Sequence, residues 1–186
     1  MFPYRLAPVP NVLVDIAAWA MFHGVTGYAV HRLPLTRVQR DTWLLRERRL
    51  ERSGRLYERL AIRAWKDRLP EAGALFAGGM SKRHIQGRDV VSLERFAAET
   101  RRAEYGHWAA MACGPLFVLW NPPIIAAVMV AYGIGVNLPF IAIQRYNRQR
   151  IGRLLGRRTT SSSIVAGPER TDGVRRDGNT NGSSIP

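Results

Sequence analysis

The stretch Trp108–Ile143 reads WAAMACGPLFVLWNPPIIAAVMVAYGIGVNLPFIAI, 36 residues without a charge. How it is read decides the fold. A single helix of that length would be about 54 Å long, against a hydrocarbon core of about 30 Å. Asn121-Pro122-Pro123, near the first third of the run, would stop such a helix, because proline lacks an amide donor and pushes the preceding residue out of the helical region. The run ends abruptly at Gln144-Arg145-Tyr146-Asn147-Arg148. Two spans, Tyr105–Trp120 and Pro123–Ile143, joined by a tight Asn-Pro-Pro turn, satisfy all of this and make a membrane hairpin.

Upstream, residues 11–30 read NVLVDIAAWAMFHGVTGYAV. As a cleaved signal peptide this segment would have a weak basic start, Arg5 alone, and no convincing small-x-small cleavage site. It is read as a retained first span. Asp15 at the bilayer centre would cost about 2.5–3.5 kcal/mol on insertion scales, so it is expected near an interface or a polar partner.

Charge distribution supports three spans. The chain carries 28 Lys+Arg and 14 Asp+Glu, a net +14. Residues 1–31 are neutral overall, residues 32–107 sum to +8 and residues 144–186 to +6. An even number of crossings after residue 107 keeps both basic blocks on the cytoplasmic side, as the positive-inside bias demands. The expected fold is an all-α integral membrane protein of about three transmembrane helices with a cytosolic amphipathic helical segment. Its regions are an N-terminal span (1–31), a basic cytosolic or interfacial region (32–107), a hairpin (108–143), a basic juxtamembrane segment (144–158) and a disordered tail (159–186). Multi-pass placement in the cell membrane follows. A pI near 11.3 raises nucleic acid as a partner, but segregation of charge from apolar stretches and the absence of any nucleic-acid motif argue against it.

Residues 38–66 repeat Trp43, Leu50 and Tyr57 every seven positions, with Leu56, Leu60 and Trp65 continuing the stripe and arginines elsewhere. This predicts a basic amphipathic helix in the headgroup region, with Gly54 as a possible divide. The competing reading is a solvated helix on a cytosolic core. Glycines and Pro70 make residues 67–88 a loop, although Leu69, Leu75, Phe76 and Met80 keep it apolar. Asp89 is placed to N-cap the next helix. On it Leu93, Phe96, Ala97, Thr100, Glu104 and His107 share one face, with Glu99 to its side.

Glu104-x-x-His107 is the best local pair for chemistry. At that spacing a carboxylate can orient an imidazole and raise its basicity, as a base acting on an alcohol requires. The bland alternative is a hydrogen-bonded boundary histidine. The same spacing serves di-iron bundles, but no second Glu-x-x-His exists here, so no metal site is expected. Cys113 is a lone thiol within a proposed span, suited to neither a disulfide nor nucleophilic attack. Lys66, Asp67, Glu71 and Lys82 surround the glycine loop, and Gln144, Arg145 and Asn147 follow the last span. Such groups can hold phosphates or simply anchor the spans. Asn121 and Asn137 are polar groups within or at the ends of spans, where they need partners.

Several short strings, taken in order, resemble one family. They are Trp65-Lys66-Asp67, Leu69-Pro70-Glu71, Phe76, Gly78-Gly79-Met80-Ser81-Lys82, Glu99-Thr100, Arg102-Ala103-Glu104, His107-Trp108, Leu119-Trp120-Asn121, Asn137-Leu138-Pro139 and Gln144 through Arg148. Over Leu33–Leu155 the chain resembles the glycosyl-4,4'-diaponeurosporenoate acyltransferases of staphyloxanthin-type carotenoid synthesis. It departs from them at Met80, where an aromatic is expected. The resemblance implies a membrane O-acyltransferase moving a fatty acyl group onto a sugar hydroxyl of a glycosylated carotenoid or related glycolipid. No cofactor is implied, only acyl-CoA or another acyl donor as co-substrate, together with a glycosylated isoprenoid or glycolipid acceptor and the lipid bilayer. On this reading His107 is the base, Glu104 or Glu99 orients it, Lys66, Lys82 and Arg145 hold the donor's phosphates, and Asn147 or Gln144 steadies the oxyanion. The alternative is a non-catalytic membrane adaptor that uses its basic face to bind anionic lipid or a partner.

Overall fold

The computed structural model describes residues 8–52, 54–69 and 89–165. The described residues form helices and connecting turns, with no strand. In order they are α1 (Pro8–His31), a 3-10 turn at Leu35–Val38, the short helices α2 (Arg49–Arg52), α3 (Arg55–Arg59) and α4 (Ile62–Trp65), and a 3-10 turn at Lys66–Arg68. Then come α5 (Val90–Ala112), a 3-10 stretch at Gly114–Leu119, and α6 (Pro123–Val165).

α1, α5 and α6 pack side by side. Glu104 of α5 meets Arg145 of α6, His107 meets Asn137, and Gly114 faces Val130, so α5 and α6 are antiparallel. Gly106 lies against Val30, and Asn121 bonds Asp15, so α1 also runs opposite to α5. α1 and α6 are therefore parallel. The hairpin turns where the sequence places it, at Asn121-Pro122-Pro123.

Among the described residues, two helices are long and apolar enough to cross a membrane, Val9–His31 and Pro123–Arg157. The outward face of α1 is apolar: Val9, Val12, Leu13, Ile16, Met21 and Val25 are all more than half exposed, while Asp15 on its inner face is 5% exposed. Apolar outside with a carboxylate inside reverses the order of a water-soluble fold, and suits a helix whose solvent is lipid. Asp15 has the polar partner its position demands. Its Oδ1 accepts from Trp120 Nε1 at 2.8 Å and Asn121 Nδ2 at 2.9 Å. Asn11 Nδ2 donates to Asn121 Oδ1 at 2.6 Å. Next to this cluster, Trp19, Phe22, Phe117 and Ala126 form an aromatic core.

Three expectations are revised. The middle of the proposed second span is not one helix: α5 stops at Ala112, and Pro115 helps set the tighter 3-10 stretch that follows. α6 does not stop at Ile143; it carries the basic segment 144–158 and residues 159–165 of the expected disordered tail in one helix. The amphipathic segment 38–66 is broken rather than continuous. Gly54 sits at φ +71° and Ala61 at φ +46°, left-handed geometries that a continuing helix cannot hold. The predicted stripe therefore splits. Trp43 and Leu50 are 78% and 79% exposed, whereas Tyr57 is buried against Ile62, Ile143 and Tyr146. Asp89 caps α5 as expected, its Oδ1 accepting from the Ser92 amide at 2.8 Å.

Candidate functional site

The predicted face of α5 is the buried one. Leu93, Phe96 and Ala97 pack on Ile151, and Thr100 and Glu104 are fully buried. Glu104 Oε1 accepts from Arg145 Nε at 2.7 Å and from Trp108 Nε1 at 3.2 Å, and Oε2 accepts from Arg148 Nη2 at 2.8 Å. Arg145 gives its other nitrogens to Glu51 Oε1 and the Leu44 carbonyl, each at 2.9 Å. Arg148 Nη2 also reaches the Leu45 carbonyl, and Gln149 Nε2 the Glu51 carbonyl. The broken segment 38–66 is thus folded over the basic end of the bundle.

Burial alone would raise the Glu51 carboxyl, but the Arg48 amide and the Arg145 guanidinium outweigh it and hold Glu51 below its ordinary value. Burial, and then the Glu51 charge, push the Tyr57 hydroxyl far up, so it stays protonated and donates to Glu51 Oε1 at 3.1 Å.

His107 lies one turn beyond this cluster, half-buried. Its Nδ1 is 3.0 Å from Asn137 Oδ1, and its ring stacks on Phe140 with centroids 4.9 Å apart and planes 8° apart. Asn137 is fully buried and donates Nδ2–H to the Gly133 carbonyl at 2.8 Å.

Each member of the expected pair has partners of its own across the interface with α6. Glu104 is engaged by Arg145, Arg148 and Trp108, and the amide of Asn137 holds His107. Glu99 pairs with Arg102 at 3.2 Å, a local i,i+3 contact. Arg145, expected to hold phosphates, has all three of its nitrogens bound within the protein. Gln144 and Asn147 lie about 6 and 10 Å along α6 from Phe140, the residue on which His107 stacks, at 1.5 Å per residue. Asn121 is farther still, about 20 Å away at the opposite end of the bundle on the same rise, where it serves Asp15. Lys66 and Asp67 pair with each other at the surface. Glu71, Lys82 and most of the glycine loop lie outside the described residues. Among the described residues, no cluster of His, Cys, Asp and Glu is suited to a metal ion.

Sequence reasoning missed Glu51, Tyr57 and Asp41 as members of the polar cluster, because they come from a distant, irregular segment. Arg148 was within reach: three residues after Arg145, it had to share that face of α6. Asn137 was seen as polar but not as the partner of His107.

Fold and site together define, among the described residues, an all-helical arrangement with two helices fit to cross a membrane and a half-buried histidine held between α5 and α6. The family model for glycosyl-4,4'-diaponeurosporenoate acyltransferase matches residues 41–157, and the chain belongs to that family. Curated relatives of that name from Staphylococcus aureus strains MRSA252 and USA300 are each 28% identical over 107 residues. The match covers 56% of this chain and 64% of each relative, so it spans less than two thirds of their length. No solved structure matches the chain.

Proposed function

We propose that this protein is a membrane O-acyltransferase that moves a fatty acyl group onto a sugar hydroxyl of a glycosylated carotenoid or related glycolipid. His107 is its base. The observation that carries the reading is the placement of a half-buried histidine, oriented by a fully buried asparagine, in a chain of this family. His107 removes the hydroxyl proton as the oxygen attacks the acyl carbonyl. The tetrahedral intermediate then expels the donor's leaving group, which takes the proton from the imidazolium. The donor is acyl-CoA or another activated acyl ester. Lys66 and the exposed arginines of residues 46–63 offer its phosphates a positive surface. Apolar outer faces on α1 and α6 let the lipid acceptor approach from the bilayer. The polar cluster around Glu104 holds the site's wall rather than reacting.

The test compares lipid extracts of a deletion strain complemented with wild type or with His107→Ala. Complementation by wild type restores the acylated glycolipid. The variant, at equal membrane abundance, is expected to lose about 100-fold or more in transfer rate. Near-normal transfer by His107→Ala would remove the base assignment. An unchanged lipid profile in the deletion strain would remove the enzyme reading and leave the adaptor.

A further inference from the structure

We infer that Asn137 is a positioning residue that fixes the tautomer of His107, with the proton on Nδ1 and the basic lone pair on Nε2. The inference deepens the acyltransferase reading and rests on it for its catalytic meaning, though not for its chemistry.

The argument is one of donors and acceptors. A backbone carbonyl only accepts, so the side-chain atom of Asn137 that faces the Gly133 carbonyl, 2.8 Å away, must be the NH2 group. That leaves Oδ1 as the atom facing His107. A carbonyl oxygen also only accepts, so the ring nitrogen 3.0 Å from it must donate. Neutral imidazole carries one N–H, and here it is on Nδ1. Both choices that are ordinarily left open, the amide flip and the histidine tautomer, are thereby closed by a single helical carbonyl.

Burial makes the arrangement rigid. Asn137 is fully buried, so water cannot compete for its Oδ1. Phe140 lies one turn from the neighbourhood of Asn137 and covers a face of the ring, so the imidazole cannot easily swing away. No carboxylate is needed. A neutral acceptor orients the ring without trapping the proton that His107 must later return to the leaving group. Glu104, three residues before His107 and fully buried, is instead bound by Arg145, Arg148 and Trp108.

The test uses full-length protein in detergent micelles, grown with ring-15N histidine. Signals of His107 are assigned by their loss in His107→Gln. At neutral pH the wild type is expected to show a protonated Nδ1 and an unprotonated Nε2. In Asn137→Leu, which removes the acceptor at similar volume, the Nδ1–H signature is expected to weaken in favour of Nε2–H, with the turnover rate falling about 100-fold. Asn137→Asp keeps an acceptor and is expected to keep the Nδ1–H signature. A wild-type spectrum with Nδ1 unprotonated overturns the inference, and needs no variant to fold. So does an Asn137→Leu spectrum identical to wild type. An active His107→Ala with the expected wild-type spectrum would sink the catalytic role alone and leave the tautomer standing.

Discussion

Glu104 shows how much one buried side chain can organise. It has no solvent exposure, and it neutralises two arginines from the same face of α6. Arg148 depends on it heavily: its Nε and Nη1 have no hydrogen-bond partner among the described residues, and Nε is 3.6 Å from Asp41. Removing one partner of a buried ion pair leaves an uncompensated charge and costs about 3–5 kcal/mol. Glu104→Gln is therefore expected to lower thermal stability sharply in detergent. Glu94→Gln, at an exposed position on α5, is the control, with an expected cost of at most about 0.5 kcal/mol. Equal melting temperatures for the two variants would refute the central place given to Glu104. Its role was only half legible in the sequence. Periodicity put Glu104 and His107 on one buried face of α5. It could not show that the carboxylate meets arginines 41 and 44 positions away while the imidazole meets Asn137, since spacing reports shared faces and not the partner across the interface.

At the level of elements, α1 meets α6 through glycine. A Cβ at Gly133 would overlap the Trp19 ring, so Gly133 is small because an indole lies on it. Its carbonyl also anchors Asn137. Gly133→Ala is expected to push α1 away from α6 at an overpacking cost of about 1–3 kcal/mol. Gly135→Ala, two residues on and facing open space, is expected to be nearly neutral. Thermal denaturation in matched detergent separates them, and a stable Gly133→Ala with an unstable Gly135→Ala would contradict the packing. The elements themselves were largely readable. Apolar length marked α1 and the first half of α6, Asp89 marked the start of α5, and the proline pair marked the turn. Where the reading failed, the backbone left the regular helix. The heptad of Trp43, Leu50 and Tyr57 looked like one amphipathic helix. Left-handed Gly54 breaks it where the sequence offered a divide, and Ala61 breaks it again, since a strained alanine carries no mark in a sequence. The 3-10 stretch at Gly114–Leu119 escaped notice as well. It has a consequence for length: at about 2.0 Å per residue it carries the chain further than an α-helix of equal count.

For the whole molecule, that extra reach decides the topology. α1 and α6 are the two helices apolar and long enough to cross, and they run parallel. Two parallel crossings in one chain require a return between them. The return is visible in the contacts: Gly106 lies beside Val30 and Asn121 beside Asp15, so residues 106–121 retrace α1 from one end to the other. Seven residues of α-helix followed by the 3-10 stretch cover roughly 25 Å, close to the thickness of a hydrocarbon core. The end of α5 and the 3-10 stretch are thus expected to cross the membrane, although α5 as a whole is too charged to be recognised as a span. With such a crossing, the positive-inside bias predicts that the polar cluster of Glu51, Glu104, Arg145 and Arg148, and the basic segment that wraps it, face the cytoplasm. The Asp15–Trp120–Asn121 cluster falls near the opposite face. Reporter fusions after Leu60, after Asn121 and at the carboxyl terminus are expected to report cytoplasm, exterior and cytoplasm. If Leu60 and Asn121 were on one side, the return would not cross, and His107 would stand in water rather than at the lipid boundary. On the proposed function, the acceptor would then have to leave the bilayer to be acylated, and the apolar outer faces beside the site would lose their purpose.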